Sequence, residues 1–463
     1  MYMIDIVGKH GIITDSSEMF PYLEEERGIF HGRSIAVVCP SSVSEISSVV
    51  RLCASQNVGI VPQGGNTGLC GGAIPSSGTE IILSLSRLNK IRAIDPINFT
   101  ITVDSGVVLE TIQKVASDVE CLFPLSFPSE GSAQIGGIIS TNAGGVGVLR
   151  YGNARDLVMG LEVILPDGEI WDGLLGLRKD NTGYDLKQLF VGSEGTLGVI
   201  TAAVLKLFPK PRDIQTAFCA LSSLDAVISL FSQFRVFSND QISAFELISR
   251  ICLDMTIAHT QDVIDPFVEH YDWYILIELS SSRDDECLSD RFNNLLSFAI
   301  EKGYIADAVI ASSYKQQRAL WHIRESIPEA QKSEGGSIKH DVSVPISVVP
   351  DFIRQASLAV ETAMAGIRVV AFGHVGDGNI HFNLSQPIGA DRKSYLSQWD
   401  RMNRIVHDLV IKMNGSISAE HGIGQLKRKE LEYYKAPLAL ALMKRIKASI
   451  DPNGLMNPGK IFK

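Results

Sequence analysis

Two histidines in the second half of the chain have a spacing that suits a metal site. They belong to the segment Gly373-His374-Val375-Gly376-Asp377-Gly378-Asn379-Ile380-His381-Phe382-Asn383. His381 and Asn383 are two residues apart on a predicted strand, so their side chains point to the same face. The glycine loop before this strand can fold His374 back beside His381, which would form half of a zinc site. A polar hairpin without metal is the alternative interpretation of these residues alone.

A glutamate and another histidine follow in the segment Ser418-Ala419-Glu420-His421-Gly422. The carboxylate of Glu420 is a natural third zinc ligand, and such a site keeps one position open for substrate. His421 would then be available for proton transfer. The ordinary pKa of histidine, about 6.5, suits a general base near neutral pH.

Three glycine-rich segments in the first half predict a nucleotide ligand. They cover residues 61–72, 128–145 and 191–201. Glycine lets the backbone approach a ligand closely, and successive N–H groups in such loops bind anions such as a pyrophosphate. Any one of these loops alone could be an ordinary turn. None has the G-x-G-x-x-G pattern between a strand and a helix, which disfavours a Rossmann NAD site.

The surrounding elements predict an α/β or α+β domain followed by a mixed second half. In the first half, a capping box at residues 42–45 opens a helix, strands cover 59–62 and 100–103, and a helical stripe covers 108–116. Prolines at positions 209 and 211 predict a domain boundary there. Beyond it we expect helices at 225–234 and 349–364, strands at 273–279, 369–372 and 380–384, and one helical tail over 427–450.

Composition excludes several classes of protein. The chain has 463 residues, of which 45% are hydrophobic and 20% charged, as in folded globular proteins. Its net charge of −10 argues against a nucleic-acid partner. No apolar run approaches the roughly 20 residues that span a bilayer, so we expect no transmembrane segment. The seven cysteines are scattered without a C-x-x-C pair, which favours a reducing cytoplasm over a disulfide framework.

The three glycine-rich loops resemble the FAD-binding domain of the vanillyl-alcohol oxidase and p-cresol methylhydroxylase superfamily. The resemblance rests on PQGGNTG, on PSEGSAQIGG with NAGG, and on GSEGTLGVIT. It implies FAD, which we expect to be non-covalent because the first loop has no histidine, although Cys70 is close. The residues that it assigns to FAD are Pro62, Gln63, Gly64, Gly65, Asn66, Thr67, Gly68, Pro128, Ser129, Gly131, Ser132, Gly136, Gly137, Asn142, Gly144, Gly145, Glu194, Gly195, Gly198, Val199, Ile200 and Asn457.

The C-terminal motifs GHVGDGNIHFN and SAEHGIG resemble the FAD-linked D-2-hydroxyacid dehydrogenases, best the D-2-hydroxyglutarate dehydrogenases. D-lactate dehydrogenase and the glycolate oxidase flavin subunit are more distant relatives. The resemblance implies that zinc, or manganese or cobalt, binds His374, His381 and Glu420, and that His421 is the base. It assigns substrate contacts to Arg324, Lys339, Asn383 and His421. The 2-hydroxyglutarate enzymes have a threonine four residues after this arginine, where this chain has Pro328.

These resemblances imply an α+β fold, with a two-part FAD-binding domain of the p-cresol methylhydroxylase type before an α+β substrate domain that has an antiparallel sheet. We expect an N-terminal segment over 1–30, the FAD domain over 31–212 and the substrate and metal domain over 213–463, with about 415–463 returning to the FAD domain.

The implied reaction is oxidation of a D-2-hydroxy acid, with D-2-hydroxyglutarate as the first choice and D-lactate or D-malate as alternatives. The expected electron acceptor is an electron-transfer flavoprotein or a quinone rather than NAD. An oxidase that uses O2 and a flavin subunit of a larger complex are the rival functions. A homodimer and a peripheral position at the inner membrane also stay open.

Overall fold

The contacts of the chain divide it into two units. The first consists of Met1–Gly145, Tyr151–Lys210 and Glu420–Lys463, and the second of Val146–Arg150 and Pro211–Ala419. The structure, a computed structural model, describes residues 2–283 and 287–462. Within these residues no helix combines the length and the apolar character needed to cross a membrane.

The N-terminal part of the chain contains short helices and two main sheets. In chain order its elements are α1 Met3–Val7, β1 Ile12–Ile13, α2 Ser16–Leu23, β2 Val37–Val38, α3 Val43–Gln56, β3 Ile60–Gln63, β4 Ile81–Ser84, β5 Ile91–Asp95, β6 Thr100–Asp104, α4 Leu109–Asp118, β7 Cys121–Leu122, α5 Ile135–Thr141, α6 Val148–Tyr151, α7 Ala154–Leu157, β8 Val158–Ile164, β9 Ile170–Gly173, α8 Lys187–Phe190, β10 Val199–Lys206 and β11 Phe208–Pro209. One sheet has the order β1-β2-β4-β3, in which β4 runs parallel to β2 and β3. The other is antiparallel, with the order β5-β6-β10-β8-β9.

Helix α3 shows how the local sequence produces these elements. The Ser42 hydroxyl oxygen accepts the N–H of Glu45 at 3.2 Å and caps the helix. Ile46 and Val49, on its apolar face, are completely buried. The capping box forms only in half, because the Glu45 carboxylate accepts the N–H of Ser41 at 2.7 Å rather than that of Ser42.

The second unit is built on one large antiparallel sheet. Its elements are β12 Asp213–Leu221, α9 Ala226–Phe237, β13 Ile242–Ser249, α10 Arg250–His259, β14 Trp273–Ser281, α11 Cys287–Glu301, β15 Ile305–Ile310, α12 Tyr314–Ser333, β16 Ser337–Ile338, β17 Asp341–Ser343, α13 Val349–Ala363, β18 Arg368–Gly373, β19 Asn379–Ser385, α14 Arg392–Leu396 and α15 Trp399–Lys412. The strand order is β15-β12-β14-β13-β18-β19-β16, and β17 also pairs with β19. The antiparallel sheet expected for this region is thereby confirmed.

The helical tail expected over 427–450 is interrupted once. It consists of two helices, α16 Arg428–Tyr434 and α17 Pro437–Ile450. Ala436 leaves the helical region (φ −53°, ψ 132°), which is disfavoured for a residue before proline, and Pro437 then starts the new helix. Periodicity over this segment was continuous, but the local effect of the proline ring overrides it.

Candidate active site

The first and second glycine-rich loops pack tightly against each other in the first unit. A Cβ at Gly65 would lie 2.1 Å from the carbonyl oxygen of Ser132, a distance that no side chain can occupy. Asn66 has a positive φ of 54°. Its Nδ2 donates to the carbonyl oxygen of Glu24 at 2.8 Å, which fixes this left-handed turn. Glycine at position 65 is therefore required by backbone packing between the loops.

Two adjacent glycines at the start of α5 have different surroundings. A Cβ at Gly136 would lie 2.7 Å from the Cβ of Ser105, so this position is closed by packing. A Cβ at Gly137 would meet no heavy atom of the described chain within 4 Å outside its own helix. The side-chain oxygen of Gln134 is buried and has no hydrogen-bond partner among the described residues. An open surface beside Gly137 with a buried acceptor next to it fits a ligand such as FAD.

Glu194 of the third glycine-rich loop holds the segment that follows His421. Its carboxylate accepts the N–H groups of Ile423 and Gly424, each at 2.7 Å. Burial raises the pKa of Glu194. The sequence assigned this residue to FAD, but in the structure its carboxylate is occupied by the backbone two and three residues after the predicted base.

Other residues assigned to FAD hold the loops through their amide groups. The Gln63 Nε2 donates to the carbonyl oxygens of Tyr22 and Ala73, both at 2.9 Å. Asn142 ends α5 in the left-handed conformation, and its side-chain oxygen accepts the N–H of Arg155 at 2.9 Å. The Asn457 Nδ2 donates to the carbonyl oxygen of Glu194 at 2.6 Å, whereas its buried Oδ1 has no partner in the described part of the chain.

The second unit contains a buried charge cluster around Glu246 of β13. One carboxylate oxygen accepts from the Nε of Arg324 at 2.9 Å, and the other is 2.7 Å from the Nδ1 of His374. Burial alone would raise the pKa of Glu246, but the charges and hydrogen bonds of His374 and Arg324 outweigh it and lower this pKa to about 2. Because the ionised carboxylate can only accept, the Nδ1 of His374 carries the proton of this hydrogen bond.

His381 lies beside His374, as the predicted loop geometry requires. The two ring centroids are 5.6 Å apart, and a ring nitrogen of each lies within 4.8 Å of the other. The Nδ1 of His381 is 3.7 Å from a carboxylate oxygen of Asp341 on β17. Two imidazoles at this separation suit a divalent cation, since zinc takes nitrogen ligands at about 2.0–2.1 Å.

Arg324 offers further donors in this pocket. Its side chain is 8% exposed and its guanidinium carbon lies 4.8 Å from the centre of the Phe372 ring. Among the described residues, only its Nε donates to an acceptor of the protein. The two terminal nitrogens can therefore donate to a carboxylate in the bidentate manner typical of arginine.

Asn383 and Lys339 have different positions relative to this cluster. Asn383 is buried; its oxygen accepts the N–H of His340 at 3.2 Å and its Nδ2 donates to Gln331 at 2.9 Å. These bonds make Asn383 a link between β19 and its neighbours. Lys339 is half-buried in the connection from β16 to β17. Glu420 and His421 are half-buried residues of the first unit.

The sequence interpretation missed Glu246, Asp341 and Asp377. Burial raises the pKa of Asp377, in the loop between the two histidines, to about 6. Glu246 could have been noticed in the sequence, because it is the one charged residue in the run Ile242–Ser249. A charge in a fully buried strand needs a buried partner.

Comparisons with known proteins identify both halves of the chain. The model of the FAD binding domain matches residues 34–173, and that of the C-terminal domain of FAD linked oxidases matches residues 210–461. The D-2-hydroxyglutarate–pyruvate transhydrogenase of Saccharomyces cerevisiae is 37% identical over 93% of this chain and 87% of its own length. The D-2-hydroxyglutarate dehydrogenase of Xanthomonas citri pv. viticola is 37% identical over 93% of this chain and 89% of its own.

A solved structure of p-cresol methylhydroxylase with substrate bound has the same fold. It aligns with a TM-score of 0.77 at 17% identity, over 99% of this chain and 95% of that one. The fold class and the resemblance expected from the glycine-rich loops and the two C-terminal motifs are thereby confirmed. The chain belongs to the FAD-linked oxidase family, in the group of the FAD-linked D-2-hydroxyacid dehydrogenases.

Proposed function

We propose that this protein oxidises a D-2-hydroxy acid to the 2-oxo acid, with FAD as the hydride acceptor and D-2-hydroxyglutarate as the preferred substrate. The observation that carries this proposal is the buried Arg324, whose terminal nitrogens are available beside His374. A buried cation with unused donors suits a carboxylate substrate, and the adjacent imidazoles suit the polar group at C2.

The glycine-rich loops would hold the FAD without a covalent bond. Bound FAD supplies an acceptor for the hydride that leaves C2. Gly137 provides an open backbone surface, and the buried oxygen of Gln134 can accept a hydrogen bond from the cofactor. The thiol of Cys70 is 3.5 Å from the carbonyl oxygen of Gly422, so this cysteine has a partner in the protein.

His374, His381 and Glu420 would bind a divalent cation, with zinc preferred over manganese or cobalt. Bound as a Lewis acid, this ion lowers the pKa of a coordinated hydroxyl group. Glu420 is proposed as the third ligand because the motif SAEHGIG resembles that of the FAD-linked D-2-hydroxyacid dehydrogenases.

The remaining residues would orient the substrate and move its proton. His421 would accept the proton of the 2-hydroxyl group, since a neutral imidazole is a suitable base near neutral pH. Arg324 would hold one carboxylate and Lys339 would add a positive charge. The oxygen and one N–H of Asn383 form hydrogen bonds within the protein. Asn383 would therefore either contact the substrate through its second N–H or support the neighbouring site residues without touching the substrate.

The choice among D-2-hydroxy acids depends on helix α12. Pro328 stands one helical turn after Arg324 and has neither a hydroxyl group nor an N–H to donate. This makes D-lactate or D-malate the second candidate substrates, whereas the names of the related enzymes favour D-2-hydroxyglutarate.

An anaerobic panel of D- and L-2-hydroxy acids tests this function. We expect D-2-hydroxyglutarate to bleach the flavin absorbance, and L-isomers to leave it unchanged. His421→Ala should keep FAD and lose most turnover, and EDTA should abolish activity that zinc, manganese or cobalt restores. Bleaching by no 2-hydroxy acid would reject the proposed reaction, and activity that survives prolonged chelation would reject the metal.

The electrons would pass from reduced FAD to an electron-transfer flavoprotein or a quinone rather than to NAD. Because the yeast relative is named for pyruvate as well, pyruvate belongs among the acceptors to be assayed. NAD-dependent turnover would contradict the proposal.

We place the protein in the cytoplasm, and peripheral binding to the inner membrane is the alternative location, which cell fractionation tests. A homodimer is the alternative to a monomer, which light scattering tests. The seven cysteines, six of them buried, form no disulfide among the described residues, which supports a reducing compartment.

A further inference from the structure

Glu246 connects two side chains that have separate roles in the proposed reaction. It lies on β13, whose eight residues are all buried. The next residue, Leu247, pairs with Gly373 at the end of β18, directly before His374. The backbone register of the sheet therefore fixes the distance between Glu246 and His374.

The two carboxylate oxygens of Glu246 have different partners. One accepts the Nδ1–H of His374 at 2.7 Å and the other accepts the Nε–H of Arg324 at 2.9 Å. The first bond determines which nitrogen of His374 faces a metal. The second determines the plane of the guanidinium group, because the Nε–H and the terminal N–H groups are coplanar.

We propose that Glu246 is a positioning residue that orients the metal-binding His374 and the carboxylate-binding Arg324 together. This inference rests on the proposed function. It assigns Glu246 no contact with the reacting atoms. Hydrogen-bond partners of metal-binding histidines fix the tautomer and the ring orientation, and their loss typically lowers metal affinity by roughly 10–100-fold.

Glu278 offers a matched control. It is a partly buried glutamate on the adjacent strand β14, and it also faces α12, where the Trp321 Nε1 donates to it at 2.9 Å. The Ser243 hydroxyl donates to its other oxygen at 2.7 Å. Burial raises the pKa of Glu278, and glutamine is nearly isosteric with this side chain. Among the described residues, no hydrogen bond or ion pair joins it to His374 or Arg324.

The experiment compares Glu246→Gln with Glu278→Gln in FAD-loaded full-length protein. Zinc affinity is measured without substrate, by competition with a chromophoric chelator. We expect Glu246→Gln to weaken zinc binding by roughly 10–100-fold and Glu278→Gln to leave it unchanged. Glu246→Gln should also raise the KM of the 2-hydroxy acid at saturating zinc, because an amide NH2 now faces Arg324.

A double-mutant cycle with His374→Ala separates positioning from general stability. If Glu246 acts through His374, Glu246→Gln has no further effect on zinc affinity when this histidine is absent. An equal loss in both backgrounds would overturn the proposal, as would an equal loss in Glu246→Gln and Glu278→Gln.

Zinc binding by the wild-type protein distinguishes failure of the proposed metal site from failure of the proposed role of Glu246. Wild-type protein that binds no zinc would reject the proposed metal site and this inference with it. Zinc binding in the wild type and equally in Glu246→Gln would overturn the inference alone. If Glu246→Gln does not fold, Glu246→Asp keeps the charge at a changed distance; it should weaken zinc binding, and an unchanged affinity would overturn the proposal.

Discussion

The two neighbouring glycines of α5 give a direct test of the FAD site. Alanine at either position favours the helix by at most about 1 kcal/mol. At Gly136 the new methyl group would lie 2.7 Å from the Cβ of Ser105, and such overpacking costs about 1–3 kcal/mol. At Gly137 the methyl group would enter space that is open in the protein.

We therefore expect opposite behaviour from the two variants. Gly136→Ala should lower the free energy of unfolding of the flavin-free protein by up to about 2 kcal/mol. Gly137→Ala should preserve or raise this free energy but weaken FAD binding. If its methyl group costs about 1–3 kcal/mol against the cofactor, the dissociation constant rises by about fivefold to 150-fold.

The assay combines circular-dichroism melts of the flavin-free protein with a titration of FAD followed by its fluorescence. The wild-type protein, stripped and reconstituted in parallel, is the reference. FAD binding by Gly137→Ala at wild-type affinity would refute the inference that this surface faces the cofactor. A Gly136→Ala variant more stable than the wild type would refute the assignment of that glycine to packing.

Three further predictions concern buried charges. Burial would raise the pKa of Glu80, but hydrogen bonds from the Ser77 hydroxyl and nearby N–H groups lower it from 4.5 to about 2. The ionised form of Glu80 therefore stabilises the fold fully above about pH 4.5, and this stabilisation is lost as the pH falls toward 2. The difference in melting temperature between wild type and Glu80→Gln should narrow over this range. A constant difference would contradict the assignment. Arg324→Lys should raise the KM of the 2-hydroxy acid about 10–100-fold in steady-state assays. A single ammonium group cannot donate to Glu246 and also bind a carboxylate through two nitrogens. An unchanged KM would exclude this contact. Glu194→Gln places an amide NH2 opposite one backbone N–H of the loop after His421. Chemical denaturation should show that the free energy of unfolding falls by about 1–3 kcal/mol, and turnover should fall at full FAD occupancy. Wild-type stability would refute the anchoring role.

The local geometry around His381 could be predicted from the sequence because it depends on neighbouring residues. Alternation along the strand places Phe382 and Leu384 in the core, and both are fully buried. The glycines before the strand permit the turn that brings His374 beside His381. The alternation of side chains along a strand and the conformational freedom of glycine in a turn both act over a few residues. A single sequence therefore contains enough information for this part of the site.

The partners of these residues could not be predicted in the same way. Glu246 is 78 residues from Arg324 and 128 residues from His374 in the chain. Glu194 is 229 residues from Ile423, and its position in a glycine-rich loop favoured a role in FAD binding instead. Such contacts depend on strand order and register, which the pattern of any one segment does not determine.

The burial of Arg324 could have been predicted from its position in α12. It lies in the apolar stripe of α12, four residues after Leu320 and three before Ile327, and both of these are buried. Its neighbour Glu325 points to the exposed face, where Arg318 contacts it at 3.5 Å. Residues three and four apart share a helix face, so the stripe itself predicts a buried guanidinium.

A buried arginine requires a buried carboxylate, because an unpaired charge in the core would cost several kcal/mol. Two apolar strands of this unit contain a glutamate, Glu246 in β13 and Glu278 in β14, and these are the natural partners. The structure pairs Arg324 with the first and Trp321 with the second. Strand register decides that Arg324 pairs with Glu246, beside His374.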